Sequence, residues 1–435
     1  MAVAPNPVER LSRALSGRFA DARARTDELF SLLKPDSLYD RPIPERHRII
    51  FYIGHLEAFD WNLLRERLLG IPSFNPALDR LFAFGIDPVD GGLPSDQPKD
   101  WPAIAQVREY VSQVREELDD ELDALFASPE RQAEFAPELL LNVAIEHRLM
   151  HAETLAYMFH QLPLDRKARP RLDRAMEGPA FQASRTRMIE IPSGPITLGM
   201  PRDGGQFGWD NEFESQQVNV PAFAIDEFKV THGEFLEFLN SGGYDRQDLW
   251  SEEDWNWRRQ ARIEHPVFWV QRDRQWFYRG MFEEFALPMT WPVYVSHAEA
   301  AAFARWAGKA LPTEAQWQRA AYGGTDKITP KGNFDFERWD PAPVNSDAGG
   351  SSALGVRDIF GNGWEWTSTL FGPLPGFQKF PFYPGYSADF FDGKHYVMKG
   401  GSSRTAACMM RPSFRNWFQP HYQYVYAGFR CVRSA

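Results

Sequence analysis

EHRLMHAETLAYMFHQLP, residues 146–163, is the most informative segment for the architecture of the first part of this chain. His147 and His151 are four positions apart, so in a helix their side chains lie on the same face. The other residues on that face are apolar: Leu140, Ala144, Leu155 and Met158. The pattern predicts a helix that begins near Pro137, ends before Pro163 and turns two imidazoles into a hydrophobic core.

A second stretch, GHLEAFDWNLL at residues 54–64, places His55 among apolar positions of another predicted helix. Three imidazoles buried without partners would be costly, whereas one divalent metal ion satisfies all three and keeps positions open for substrates. A pair of histidines four apart also arises by accident in a core, and it is the third histidine that favours a metal. Spacing does not exclude zinc, although Arg148 replaces the glutamate of HExxH proteases. We interpret His47 and His160 as surface or structural residues.

Residues 1–165 contain four stretches with helical periodicity. In the third, apolar residues recur every three or four positions: Ile104, Val107, Val111, Val114, Leu118, Leu122 and Leu125. The second stretch begins near Pro44 and stops at Gly70. Proline at helix starts and glycine or proline beyond helix ends are the usual boundary residues, so this part is predicted to be a four-helix bundle.

The charged segment 166–186 lacks a sustained apolar face and is predicted to be a linker. From 187 to 435, short apolar runs alternate with Gly, Pro, Asn and Asp, which predicts an irregular α+β domain rich in loops. Its predicted helices lie near 232–240, 297–307 and 313–322.

The 435 residues carry a formal net charge of −11, with a pI of about 5.5. Such a balance repels phosphate backbones and anionic lipids, so neither nucleic acid nor membrane is an expected partner. The N-terminus lacks the apolar core of a signal peptide, and we expect a cytoplasmic protein. Cys408 and Cys431 cannot form a disulfide framework for a chain of this size, although they could pair once or be buried thiols.

The whole chain carries recognisable motifs. The first part has GHLEAFDWNLL (54–64) and EHRLMHAETLAYMFHQLP (146–163). The second has IPSGPITLGM (191–200), FGWDNEFE (207–214), FAIDEFKVTHGEFLEFL (223–239), AGKALPTEAQWQRAA (307–321), GNGWEWT (361–367), KGGSS (399–403), RNW (415–417) and GFR (428–430). By these motifs the chain resembles the EgtB-like sulfoxide synthases of ergothioneine biosynthesis and the related ovothiol and selenoneine synthases. The resemblance implies a DinB-like four-helix bundle followed by a formylglycine-generating-enzyme-like (C-type-lectin-like) domain.

The resemblance also implies a reaction. Family members use iron(II) and dioxygen to join sulfur or selenium to the imidazole C2 of hercynine, a histidine betaine. The positions that match the iron ligands are His55, His147 and His151. Asn416 and Trp417 match the positions that hold the trimethylammonium group, a role suited to an indole face. Trp417 as an ordinary core residue is the alternative.

Departures from the family pattern concern both hercynine and the sulfur or selenium donor. Arg148, Leu149 and Met150 replace the usual glutamines between the ligands on the last bundle helix, so part of the usual hercynine contact is missing, and Met150 lies at a position expected to line the hercynine site. GGLPSDQPKDWP, residues 91–102, replaces an arginine-bearing segment that binds the carboxylates of γ-glutamylcysteine, and Phe418 replaces an acidic residue. These losses indicate a less charged donor, and a selenosugar fits, with selenoneine synthase the closest branch by pattern.

Other roles stay open. Tyr383 and Tyr386 are both candidates for the family's proton-donating tyrosine, or else loop-packing residues. A formylglycine-generating oxidase would require two neighbouring cysteines after the GGS turn, where only Cys408 is present. A non-catalytic binding module on the same folds is a further alternative. The sequence does not indicate an oligomeric state.

Overall fold

The first part of the chain is built from helices. In the computed structural model these are α1 (Pro7–Ser31), α2 (Ile49–Leu64), α3 (Pro76–Phe84), α4 (Ile104–Phe126) and α5 (Glu138–Gln161). The structure describes residues 7–85, 93–128, 130–131, 137–169, 187–323, 330–344, 346 and 350–434, with side chains of α1 from residue 14 onward. The predicted helical bundle is confirmed, with the short α3 as an addition.

Helix boundaries follow local chemistry. Helix α2 begins five residues later than predicted, because Arg48 is still extended (φ −64°, ψ 156°). A π-helical turn, Arg65–Leu69, continues α2, and left-handed Gly70 (φ 68°) ends it as predicted. Helix α3 was missed, although Asn75 caps it by accepting from the Leu78 amide and Pro76 occupies its first position.

The core of the bundle confirms most of the predicted apolar stripe on α4, but Tyr110 is buried in the place expected for Val111. The buried residues on this helix are Val107, Tyr110, Val114, Leu118, Leu122 and Leu125. Ile104 and Val111 flank this line and are only half-buried. Tyr110 is buried because its hydroxyl donates to Asp79 (2.7 Å), which satisfies its polar end.

The chain divides into two compact units, Met1–Pro170 and Arg171–Ala435. Of the predicted linker 166–186, residues 170–186 lie outside the described residues. The strands of the second unit are β1 (Met188–Ile191), β2 (Gly194–Leu198), β3 (Gln216–Val220), β4 (Phe223–Asp226), β5 (Trp269–Arg272), β6 (Gln275–Arg279), β7 (Glu284–Ala286), β8 (Trp364–Leu370), β9 (Tyr396–Lys399), β10 (Asn416–Phe418), β11 (Ala427–Gly428) and β12 (Val432–Ser434). Its helices are α6 (His232–Asn240), α7 (Glu252–Gln260), α8 (His297–Trp306) and α9 (Glu314–Tyr322).

Four small sheets organise the described strands of this unit. Their orders are β1-β4-β12, β2-β3, β5-β6-β7 and β10-β9-β8-β11. All pairings are antiparallel except that of β8 with β11. The predicted helices near 232–240, 297–307 and 313–322 are confirmed, and each begins at a Ser or Thr capping box. Helix α7 was not predicted, although the Ser251 side chain caps it by accepting from the Asp254 amide.

Several family motifs meet in a buried charge cluster. Arg430 of GFR donates to Glu365 of GNGWEWT (2.7 and 2.8 Å), and Lys229 lies 3.2 Å from the same carboxylate. All three side chains are fully buried. Because removing one partner would leave an uncompensated charge in the core, these motifs hold the fold together.

Two further expectations concern thiols and membranes. Cys408 and Cys431 are not joined in a disulfide, and Cys408 is exposed whereas Cys431 is buried, so Cys408 is not a buried thiol. Among the described residues, no helix combines the length and the apolar character that crossing a bilayer requires.

Candidate functional site

The structure brings the three predicted histidines together. His55 comes from α2, and His147 and His151 come from successive turns of α5. One nitrogen from each ring lies within 4.8 Å of the others, and the ring centroids are 4.5 to 5.4 Å apart. Within the described parts of the chain, no other group of three His, Cys, Asp or Glu side chains is arranged in this way.

All three imidazoles are neutral near pH 7. Burial lowers the pKa of His55 to about 4, against a smaller opposing effect of its hydrogen bond to Phe82. Burial, followed by the neighbouring imidazoles, holds the pKa of His147 well below its ordinary value, and burial also lowers that of His151. A neutral imidazole presents a lone pair, which is the form that binds a metal ion.

The hydrogen bonds fit a metal site as well. The Nδ1 of His55 lies 2.7 Å from the Phe82 carbonyl oxygen, which can only accept, so Nδ1 carries the proton and Nε2 the lone pair. This contact orients the ring in the way typical of ligating histidines. His151 Nδ1 is buried and has no hydrogen-bond partner among the described residues. The donor set is therefore suited to one divalent cation.

Aromatic rings hold the histidines in place. Phe59 stacks on His147 with centroids 3.4 Å apart and planes 10° apart. Phe51 stacks on His55 at 4.7 Å. The sequence did not reveal the role of α3, which supplies the Phe82 carbonyl. Gly54 permits this contact because a Cβ at that position would overlap the Phe82 ring.

The residues between the two ligands of α5 have different environments. Arg148 is fully buried and bonded to Glu57 and Asp60. Leu149 and Met150 are half-buried, so Met150 remains a candidate lining residue.

The segment 93–102 is folded around a buried carboxylate. Asp96 accepts from Arg48 Nε (2.9 Å) and Trp101 Nε1 (2.6 Å), and Arg41 completes the group. Burial raises the pKa of Asp96, but the bonds to Trp101 and both arginines outweigh it, so the pKa is lowered. Asp96 thus pairs with both guanidinium groups and offsets one of their two positive charges. No local pattern predicts this pairing, because it joins residues that are 55 and 48 positions apart.

In the second unit, Trp417 belongs to an aromatic cluster formed by Trp209, Phe371, Tyr383, Tyr386, Phe390 and Trp417. Phe371 stacks on Trp417 at 4.1 Å and 7°. Tyr386 and Phe390 lie 5.5 and 5.7 Å from the indole. The indole is half-buried, as is Asn416, whose Oδ1 accepts from the Trp417 amide.

The two candidate tyrosines of this cluster differ in exposure. Tyr386 is buried and stacks on Trp209 at 3.9 Å. Tyr383 is half-buried, with its ring 5.5 Å from that of Tyr386. Burial, with a contribution from Asp210, raises the pKa of Tyr383 to about 12, so its hydroxyl keeps its proton at neutral pH.

Comparison with known proteins adds to this geometry. Residues 18–155 match the DinB superfamily, and residues 174–435 match the sulfatase-modifying factor enzyme 1-like domain. A hercynine oxygenase of Mycobacterium tuberculosis is 35% identical over 341 residues, which cover 75% of this chain and 77% of that protein. Ergothioneine biosynthesis protein 1 of Neurospora crassa is 27% identical, covering 93% and 56%. The formylglycine-generating enzyme of Bos taurus is 28% identical, covering 57% and 74%.

Proposed function

We propose that this chain is an enzyme acting on hercynine. It belongs to the EgtB-like family, whose members join a DinB bundle to a sulfatase-modifying-factor-like domain. The reaction is formation of a carbon–selenium or carbon–sulfur bond at the imidazole C2, dependent on iron(II) and dioxygen. We favour the selenoneine synthase reaction with a selenosugar donor. The observation that carries the proposal is the convergence of three neutral imidazoles, of which His147 is buried and His55 and His151 are half-buried.

His55, His147 and His151 would hold the iron. Bound there, iron(II) would supply the redox chemistry that lets dioxygen oxidise the two substrates as they are joined. The protein contributes imidazoles that carry no competing proton, and the Phe82 carbonyl fixes the tautomer of His55. His147 is buried and the other two histidines are half-buried, which limits the access of bulk water.

Hercynine carries a quaternary ammonium group that cannot donate a hydrogen bond. Such a group is recognised by aromatic faces, and Trp417, Tyr386 and Phe390 offer several within one cluster. We propose that this cluster binds the trimethylammonium group, with Asn416 beside it. Tyr383 is the better candidate for a proton donor, because its half-buried hydroxyl stays protonated.

The donor preference rests on charge. γ-Glutamylcysteine has two carboxylates, which call for unpaired arginines. Arg41 and Arg48 donate to backbone carbonyls of the divergent segment 93–102, and both already pair with Asp96. A polyhydroxylated selenosugar needs no such cation, which supports selenium as the transferred atom.

A sulfoxide synthase that uses cysteine or γ-glutamylcysteine is the second candidate, supported by similarity to a hercynine oxygenase and an ergothioneine biosynthesis protein. The chain is also similar to a formylglycine-generating enzyme, but that oxidase reaction is less favoured because Cys408 is exposed whereas Cys431 is buried. A non-catalytic binding module does not require three neutral imidazoles that converge on one point.

The test combines metal analysis with a comparison of donors in separate reactions. Protein purified anaerobically and loaded with iron(II) should consume oxygen with hercynine and a selenosugar, and mass spectrometry should detect the C2-selenium product. If hercynine reacts only when cysteine or γ-glutamylcysteine is the donor, the selenoneine synthase reaction is rejected in favour of the sulfoxide synthase reaction. Protein that binds no metal and takes up no oxygen would leave only the binding module.

Ligand substitution tests the site itself. His147→Ala and His151→Ala should each lose stoichiometric iron and activity, because two imidazoles hold the ion far more weakly than three. His160→Gln, on the same helix but outside the triad, is the matched control and should keep its iron. An active, iron-replete His147→Ala variant would remove that histidine from the site.

A further inference from the structure

Arg148 follows a histidine of the triad in sequence, yet its side chain is fully committed elsewhere. Its Nη1 and Nη2 donate to the two carboxylate oxygens of Glu57, both at 3.0 Å, and its Nε donates to Asp60 at 3.2 Å. The remaining acceptors are the Leu56 carbonyl (3.0 Å) and the Thr26 hydroxyl (3.3 Å). A guanidinium has five N–H groups in one plane, and here acceptors surround that plane.

The acceptors on α2 follow His55 closely in the sequence. Leu56 is the next residue, Glu57 is two positions on and Asp60 five positions on. On α5, Arg148 is the residue immediately after His147. One side chain therefore ties the backbone next to a histidine on α5 to the backbone next to the histidine on α2.

This contact restrains the two motions that would spoil a metal site. A slide of α5 along α2 by one residue displaces the helix by about 1.5 Å, and a one-residue rotation turns it by about 100°. Glu57 and Asp60 accept from the guanidinium at two points about 4.5 Å apart along α2. Either motion would break this pair of contacts, which we call the fork. Metal–ligand distances tolerate only about 0.2 Å, which makes helix register decisive.

The rest of the charge network provides a comparison. Arg115 of α4 also donates to Glu57 (2.6 and 3.0 Å) and binds Asp27 of α1 through two bonds of 2.8 Å. It shares a carboxylate with Arg148 and is mostly shielded from solvent. Arg115, however, adjoins none of the three histidines in sequence.

We propose that Arg148 is a positioning residue: its fork on Glu57 and Asp60 sets the register of α5 against α2 so that His147 and His151 meet His55. The inference rests on the proposed function, because it assumes that the triad binds a metal. It assigns Arg148 a role in the metal site rather than in substrate recognition.

The experiment measures cobalt(II) binding, since Co(II) reports coordination by its visible absorption without turnover. Arg148→Lys keeps the charge but cannot form the fork, and Arg148→Met combined with Glu57→Gln and Asp60→Asn removes the charges together so that none is left unpaired. Both variants should fold by circular dichroism, bind Co(II) about 10- to 100-fold more weakly and show an altered visible spectrum. Arg115→Met, the matched control, should lower the melting temperature but keep the Co(II) affinity and spectrum.

The outcomes separate the two hypotheses. If the wild-type protein binds no Co(II) or iron, the proposed function fails and the positioning role falls with it. If the wild-type protein binds Co(II) and folded Arg148→Lys matches its affinity and spectrum, positioning by Arg148 is wrong and the proposed function stands. Equal weakening by Arg115→Met would also overturn the proposal, because the effect would then be one of general stability.

Discussion

Replacement of Trp417 by leucine tests the aromatic cluster as the binding site of a quaternary ammonium group. Phe371 covers the Trp417 ring (4.1 Å), Tyr386 and Phe390 stand beside it, and the indole stays half-buried. A cation held against such a ring and shielded from water gains about 2 kcal/mol. At about 1.4 kcal/mol per tenfold change, we expect hercynine to bind about 30-fold more weakly to Trp417→Leu.

The assay compares two ligands by isothermal titration calorimetry on the iron-free protein. Hercynine and histidine differ in the three methyl groups on nitrogen, so a loss specific to the ammonium site should weaken hercynine much more than histidine. Phe418→Leu is the matched control: it is the next residue of β10, is also half-buried, and its ring stacks on Tyr422 (5.0 Å). Neighbouring residues of a strand point to opposite faces, so this change should leave hercynine binding unaltered. An equal loss for both ligands, or no loss, would refute the assignment.

Three further changes have defined outcomes. Asp96→Ala leaves Arg41 and Arg48 without their carboxylate in a largely buried site, and should destabilise the first unit by about 3 kcal/mol in urea denaturation. Tyr383→Phe should lower kcat about 100-fold with little change in stability, whereas Tyr386→Phe, which keeps its stacking on Trp209, should retain most activity in the same oxygen-uptake assay. Asp358→Asn should change the pH dependence of unfolding. Burial raises the pKa of Asp358 from 3.8 to about 6, and Glu365 adds to the increase, whereas Lys229 and Arg430 oppose it. The folded state then holds this proton more tightly than the unfolded state, so the wild-type protein should gain up to about 2 kcal/mol over the variant as the pH falls from 7 to 4.

Each of these has a control and a contrary result. Asp165→Ala, at a position outside the Asp96 group, should be neutral, and a stable Asp96→Ala would mean that the arginines find other acceptors. Full activity in Tyr383→Phe would assign that tyrosine to packing. Parallel pH profiles of wild-type protein and Asp358→Asn, followed by thermal unfolding, would show that Asp358 titrates normally in the fold.

Much of the site could be predicted because its signals are local. The spacing of His147 and His151 and the periodicity of α5 place both imidazoles on one face without knowledge of the rest of the chain. His55 followed from the same reasoning on α2. The capping boxes at Thr231, Ser296 and Thr313 similarly mark helix starts within four residues of sequence.

The missed features depend on partners that are distant in sequence. From the sequence, Arg148 was interpreted as a lost substrate contact, but the structure shows it bonded to Glu57, 91 positions away. The carbonyl that orients His55 belongs to Phe82, on a helix too short to have a clear periodicity. Asp96 gave no sign that it gathers Arg41 and Arg48.

Local patterns in the chain were enough to predict the two fold types, the three histidines and most helix boundaries, because side-chain periodicity and capping act over a few residues of one segment. The pairing of the charges, the ring nitrogen of His55 that carries the proton and the covered face of Trp417 became known only from the folded structure. These depend on distances between atoms of separate helices and strands, and a buried polar group takes whichever partner packing brings within about 3 Å.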